Sequence, residues 1–239
     1  MNRQVVDLVN RKLSCKKQIR IKLLGDSITH GVGGTGFEQN GEKIVLDFAR
    51  NPDGYCWAKQ FKEFMESRYN CVVNNNACTG TSIEFIIHYF DMLVAEDDDF
   101  VICTIGTNNR HKYYKSPDEP RPGRDAFLKR FRELIVELFE KFKAADKDVI
   151  FVANIPAAKS NEQDGPDYFR ILAMSDIRDA YADLSAEYGF PLICLYDLFL
   201  KDCEERGVDF ETLLDDGLHP NNAGYDVMFR LIVRELGLA

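Results

Sequence analysis

The 239-residue sequence has no uninterrupted apolar run of the length, about 20 residues, that a membrane-spanning helix needs. Its opening stretch, MNRQVVDLVNRKLSCKKQIR, lacks the apolar core of a secretory signal, so the expected location is the cytoplasm and no membrane partner is expected. Positive charge is also short. Thirty Lys and Arg stand against 39 Asp and Glu, a formal net charge of -9. Nucleic-acid binding needs a concentrated positive face, so a polyanion partner is disfavoured. The basic cluster Arg11, Lys12, Lys16, Lys17 and Arg20 reads instead as the solvated side of a short N-terminal helix. The seven cysteines, at 15, 56, 71, 78, 103, 194 and 203, include no Cys-x-x-Cys pair, and there are only four histidines. That argues against a zinc site. Several of these thiols sit in apolar runs such as FVICTIG and PLICLYD, where they read as reduced, buried small hydrophobes. Repeats, low-complexity tracts and linkers are missing too. One domain over 1–239 is the simplest organisation, with residues 1–18 as an N-terminal helical extension.

What is present is a regular alternation. Five short apolar runs read as buried strands: 19–25, 71–76, 99–106, 148–154 and 190–196. Between and after them lie segments with helical period, 55–69, 82–94, 123–146, 169–189 and 222–237. The clearest is 123–146, with Phe127, Phe131, Leu134, Ile135, Leu138 and Phe142 along one stripe. The segment 169–189 stops at a glycine, as helices often do. Strand and helix alternating at this spacing predict a parallel sheet with helices on both faces. Two connections, 29–54 and 107–122, are longer than such units need. Both leave the carboxyl ends of strands, where open parallel sheets bind ligands, so they are expected to wall a pocket.

Ser27 follows the first strand directly. A serine hydroxyl needs a base to take its proton, and the base needs a carboxylate to orient it. The candidates are His30, His88, His111 and His219. His88 lies in an apolar helical segment and reads as a packing or surface residue. His30 shares the Ser27 loop, with Asp26 as its only nearby carboxylate. His111 sits in a long loop beside Tyr113 and Tyr114. His219 lies in LLDDGLHPNNAGYDVM, three residues after Asp216. A turn at Gly217 and the restriction imposed by Pro220 would hold the Asp216 carboxylate against one ring nitrogen while the other faces a substrate. A plain turn with a capping Asp and His explains the same residues. Oxyanion donors are offered at two further strand ends, by the Gly80 backbone in NNNACTGTS and by the Asn108 amide in TIGTNN.

The blocks GDSI (25–28), NNACTG (75–80), GTNN (106–109) and DGLH (216–219) occur in the order of the SGNH/GDSL hydrolase family, and the sequence resembles that family across most of its length. The resemblance implies a flavodoxin-like three-layer α/β/α sandwich around a parallel sheet of about five strands, and ester hydrolysis without metal or organic cofactor. It makes Ser27 the nucleophile, His219 the base and Asp216 its orienting partner. The oxyanion donors would be Gly80, Asn108 and the Ser27 backbone N–H. Two positions depart from the family pattern. Asn109 stands where Asp is usual, and Ala77 replaces the first glycine of the second block.

Two other readings remain open at this stage. GVGGTG (31–36) matches Gly-x-Gly-x-x-Gly, the dinucleotide-binding fingerprint, but starts several residues after the strand and opens no clean helix. These glycines are expected to form a flexible substrate loop. A non-catalytic binding module on the same fold is the second alternative, kept open by Asn109. For the hydrolase reading, Asp26, Phe37, Asn109, His111, Tyr113 and Tyr114 are candidate pocket residues, while Trp57 is expected in the core. Aromatics with polar edges suggest a small-molecule or glycan ester as partner, with a short acyl group, acetyl-like, on a carbohydrate.

Overall fold

The computed structural model describes residues 2–15, 17–37, 51–116 and 118–238. The chain opens with helix α1 (Arg3–Leu13), whose first turn is capped by Asn2 accepting the Gln4 amide. Strand β1 (Ile19–Gly25) leads into the single turn α2 (Ser27–His30). Helix α3 (Trp57–Arg68) and strand β2 (Cys71–Asn75) follow. Short helices α4 (Ile83–His88) and α5 (Phe90–Leu93) precede strand β3 (Phe100–Thr104). After a 3-10 turn at Thr107–Arg110 come strand β4 (His111–Tyr113), helix α6 (Arg124–Ala144) and strand β5 (Asp148–Ala153). The chain ends with β6 (Tyr168–Arg170), α7 (Met174–Tyr188), β7 (Leu192–Cys194), α8 (Leu195–Arg206) and α9 (Asn222–Glu235).

The five strands β2-β1-β3-β5-β7 form one parallel sheet in that order. Because side chains alternate along a strand, each strand feeds two cores. Ile19, Ile21 and Leu23 of β1, Phe100 and Ile102 of β3, and Ile150 and Val152 of β5 join one cluster, packed with residues of α1, α3, α8 and α9. Leu24, Val101, Cys103, Val149, Phe151 and Ala153 join the other, with residues of α4, α6 and α7. Two apolar layers on opposite faces of a parallel sheet make the three-layer α/β/α sandwich expected from the strand–helix alternation.

Several elements differ from the sequence expectation. The N-terminal segment is helical, as expected, and it also contributes to the interior: Val5, Leu8 and Val9 of α1 are buried in the first core. Its basic residues find acidic partners, Arg11 and Lys12 on Asp148, Lys17 on Asp99 and Arg20 on Asp97. Lys16 lies outside the described residues. The helix expected over 82–94 is broken at Tyr89 (φ -104°, ψ 22°), which turns Phe90 into the core against Phe142, ring centroids 4.9 Å apart. The helix expected from residue 169 begins at Met174. The backbone of 168–170 is already paired with β4 in an antiparallel ribbon, and the Ile171 and Leu172 amides both donate to the Arg110 carbonyl. The last strand is three residues long, and α8, not foreseen, starts immediately after it. Leu195, Phe199 and Cys203 are buried at helical spacing, but in sequence Leu195 continues the strand's apolar run. Among the described residues no helix is long and apolar enough to cross a membrane. The second half of the 29–54 connection, residues 38–50, lies outside the described residues.

Candidate active site

Four connections converge at the carboxyl edge of the sheet. β1 ends at Gly25, and Asp26 caps α2, its Oδ1 accepting the Ile28 amide at 3.1 Å. Ser27 therefore occupies the first position of a helical turn directly at the strand end, and it is 5% exposed. On the opposite side of the site, the chain between α8 and α9 makes a tight loop. The Asp215 amide donates to the His219 carbonyl at 2.7 Å, and Leu214 bridges to Pro220. The Ala158 amide holds the Gly217 carbonyl at 2.7 Å. Asn221 caps α9 through the Gly224 amide at 3.1 Å. This loop is pinned from both ends.

These constraints place His219 Nε2 2.8 Å from Ser27 Oγ and His219 Nδ1 2.7 Å from Asp216 Oδ2. Asp216 Oδ1 accepts the amides of His219 (2.8 Å) and Leu218 (3.0 Å). Burial tends to raise the Asp216 carboxyl, but the hydrogen bonds from the His219 ring and from these two amides outweigh it and hold it well below the ordinary carboxylate range. An ionised carboxylate can only accept, so Nδ1 carries the imidazole proton and the Nε2 lone pair faces the serine hydroxyl. The alternative, a plain turn, explains the two amide bonds but not a hydrogen bond spanning 192 residues to Ser27.

The remaining candidates sort clearly. His30 is buried and takes the Thr79 amide on Nδ1 at 3.1 Å, with Thr79 Oγ1 at 2.9 Å from the same nitrogen. It props the 75–80 loop rather than serving as a base for Ser27. That loop is further tied by Asn75, which donates to the Thr29 carbonyl and accepts the Ala77 amide. Its Gly80 adopts φ 80°, a backbone state that side-chain-bearing residues avoid, and a Cβ there would meet nothing within 4 Å. The glycine is thus required by the backbone and not by crowding. Asn108 sits in the 3-10 turn after β3 and donates from Nδ2 to the Thr81 carbonyl at 2.9 Å, which orients its amide. Asn109 accepts the Ile83 amide on Oδ1 (3.0 Å) and donates from Nδ2 to Glu84 Oε2 (2.7 Å). His88, on α4, is exposed at the edge of Tyr89.

Gly80, Ser82, Asn108 and Asn109 line a cleft of about 320 Å³, together with Glu84, His111, Tyr113 and Phe127. Of the expected pocket residues, His111, Tyr113 and Asn109 line this cleft, whose lining includes neither Ser27 nor His219. Two expected pocket residues do not line it. Asp26 is fully buried, and that burial raises its carboxyl, opposed by the Thr107 hydroxyl and the Ile28 amide. Tyr114 turns away to pack on Phe169, with its hydroxyl on the Gly165 carbonyl. Phe37 stands edge-on to His30, ring centroids 5.0 Å apart, next to residues 38–50, which lie outside the described residues. Glu84, Arg170 and Tyr168 were not singled out from the sequence. Glu84 has a weak signal, an acid in the first turn after the N-cap Ser82. Arg170 and Tyr168 had none, because their partner strand lies some 57 residues earlier.

The glycine run 31–36 does not start at the strand end, because the single turn α2 lies between β1 and Gly31. It is clamped instead. The Thr35 amide donates to Asn222 Oδ1 at 2.9 Å, and the Tyr225 hydroxyl donates to the Val32 carbonyl at 2.7 Å. A Cβ at Gly33 would run into the Pro220 carbonyl and approach His219 Cβ to 3.2 Å. The expected flexible substrate loop is, over its described part, a close-packed support under the His219 turn. Trp57 is fully buried, as expected for a core residue. Among the described residues no three His, Cys, Asp or Glu side chains gather as a metal site would require.

Residues 23–227 match the model of the GDSL-like Lipase/Acylhydrolase family. No curated protein matches the sequence. Solved structures with the same fold include a lipase/acylhydrolase from Enterococcus faecalis, 20% identical over 92% of this chain and 95% of that one, TM-score 0.63. An acetylxylan esterase, Axe2, from Geobacillus stearothermophilus is 20% identical over 95% of this chain and 97% of that one, TM-score 0.65. LAE5, an alpha/beta hydrolase enzyme from the metagenome of Lake Arreo, Spain, is 17% identical over 95% and 98%, TM-score 0.67.

Proposed function

The chain belongs to the GDSL-like Lipase/Acylhydrolase family and is a carboxylic ester hydrolase, and from that premise we propose that it cleaves short-acyl esters, acetyl-like, of carbohydrate alcohols through an acyl-enzyme on Ser27. The observation that carries the mechanism is the chain of hydrogen bonds from Asp216 through His219 to Ser27 Oγ.

In this mechanism Ser27 Oγ attacks the ester carbonyl while His219 Nε2 takes its proton. The imidazolium that forms is held by the Asp216 carboxylate. Negative charge on the carbonyl oxygen is met by the Gly80 and Ser27 amides and the Asn108 side chain. His219 then returns the proton to the departing alcohol oxygen, the acyl–Ser27 ester forms, and water repeats the cycle to release the acid.

The short-acyl preference is supported by the cleft beside Gly80 and Asn108, which the acyl group would share with the alcohol and whose one purely hydrocarbon side chain among the described residues is Phe127. Long acyl chains need an extended apolar surface. The acetylxylan esterase among the structural neighbours is consistent with this substrate class. The test is a panel of p-nitrophenyl esters from acetate to palmitate, run on the parent protein and on Ser27→Ala. Acetate should turn over best, and Ser27→Ala should lose about 10^4-fold or more in kcat. Best turnover on palmitate overturns the short-acyl proposal. Undiminished turnover by Ser27→Ala overturns the mechanism.

A further inference from the structure

The ribbon β4–β6 places two aromatic rings, His111 and Tyr113, at the cleft, with a third ring, Tyr168, and an arginine, Arg170, in contact with His111, and the proposed ester hydrolysis leaves them without a role. His111 and Tyr113 on β4 pair with Arg170 and Tyr168 on β6. The His111 ring meets Tyr113 edge-on at 4.8 Å and Tyr168 at 5.0 Å. Arg170, 7% exposed, sends Nη1 to His111 Nδ1 at 3.2 Å and Nη2 to the Tyr168 hydroxyl at 3.3 Å. A guanidinium can only donate. His111 Nδ1 must therefore be the acceptor, and the ring proton sits on Nε2. Burial lowers the His111 pKa, and Arg170 and Arg110 push it further, to about 4, so the ring is neutral at physiological pH.

The residues that line the cleft thus include His111, whose Nε2–H is a hydrogen-bond donor of fixed tautomer, and Glu84, whose carboxylate is an acceptor. Glu84 is oriented by Asn109 at 2.7 Å. At the cleft is also a tyrosine ring, Tyr113, that is 65% exposed. An exposed aromatic face next to a paired donor and acceptor is the chemistry that recognises a sugar ring. Its C–H face stacks on the aromatic, and its neighbouring hydroxyls both accept and donate.

We propose that the β4–β6 ribbon forms the subsite for the alcohol part of the ester, a pyranose-type sugar, with Tyr113 as the stacking platform and His111, locked by Arg170, as the hydroxyl donor. This rests on the ester-hydrolase reading of Ser27. The subsite recruits the sugar and takes no part in acyl transfer, so it acts on selectivity between alcohols.

The experiment compares kcat and KM for an acetylated xylo-oligosaccharide and for p-nitrophenyl acetate, in the parent protein and in Tyr113→Ala, His111→Phe and His111→Gln. Tyr113 is exposed, so its truncation leaves the core intact, and thermal melts check folding of the His111 variants. Expected is about a tenfold fall in the kcat/KM ratio of sugar ester to nitrophenyl ester for Tyr113→Ala and His111→Phe. The fall should be carried by KM of the sugar ester. His111→Gln, which keeps an amide donor, should recover part of it. A ratio unchanged in both Tyr113→Ala and His111→Phe overturns the subsite, as does a parent protein with no preference for the sugar ester. If the parent protein turns over neither substrate, the ester-hydrolase reading itself fails, a separate result.

Discussion

At the scale of single residues, the geometry makes Asp216 the determinant of the His219 tautomer. Its carboxylate is half exposed, so its contribution to stability is screened. Its expected effect is on chemistry. Asp216→Asn can keep the two amide hydrogen bonds on its oxygen but presents an NH2 group to Nδ1. The ring proton then moves to Nε2, which can no longer accept from Ser27. The expected result is a loss of about 10^2 to 10^4 in kcat on p-nitrophenyl acetate with little change in melting temperature. A drop below threefold would show that Asp216 does not set the tautomer. Sequence spacing alone left Asp216 and His219 with two readings, because an Asp three residues before a His is also an ordinary turn. The decision came from Ser27, which no local pattern connects to either.

At the scale of elements, Asn109 and Glu84 tie the turn after β3 to the start of α4, and so tie the Asn108 amide to the backbone at Thr81. This accounts for the departure at position 109. The Ile83 amide requires an acceptor, which Asn or Asp provides, but the neighbouring Glu84 requires a donor, which only Asn provides. Asn109→Asp sets two carboxylates against each other. It should lower the melting temperature by a few degrees at pH 7, corresponding to about 1 kcal/mol in a protein of this size and reduced by the exposure of Glu84. Adding Glu84→Gln should restore the pair and most of the stability. An equal deficit in the single and double variants would show that the contact carries no charge coupling. The ribbon β4–β6 shows the limit of local reading. HKY and YFR are three residues each, too short for any period, and their pairing depends on contacts about 57 residues apart.

At the scale of the whole molecule, a buried ion pair sits against the sheet. Lys22 of β1 and Asp98, just before β3, are both fully buried and 3.5 Å apart. Burial raises the Asp98 carboxyl, and Lys22 is the main influence opposing it. Lys22→Met fills the space but leaves the carboxyl without its cation. Its folded pKa then rises further above the unfolded value. Below about pH 4 the carboxyl is protonated in both states and the variant should be close to the parent. As pH rises the unfolded state ionises first, and the deficit should grow to about 3–5 kcal/mol near neutrality. Urea unfolding at pH 4 and pH 8 measures this; a deficit independent of pH would mean that packing, not charge, is what Lys22 contributes.

The amino-acid order by itself determined the layered architecture. Apolar runs of strand length, alternating with amphipathic helices, must bury two faces of one sheet, and that requirement is local in the chain. It also placed Ser27, Gly80 and Asn108 at strand ends, since strand ends are legible from where the apolar runs stop. The tertiary structure decided which histidine meets the serine and that Asp26 is buried rather than lining the cleft. It also clamped the glycine loop and put Arg170 behind His111. Each of these depends on groups brought together from distant parts of the chain, where closing the loop between them leaves no periodic trace in sequence.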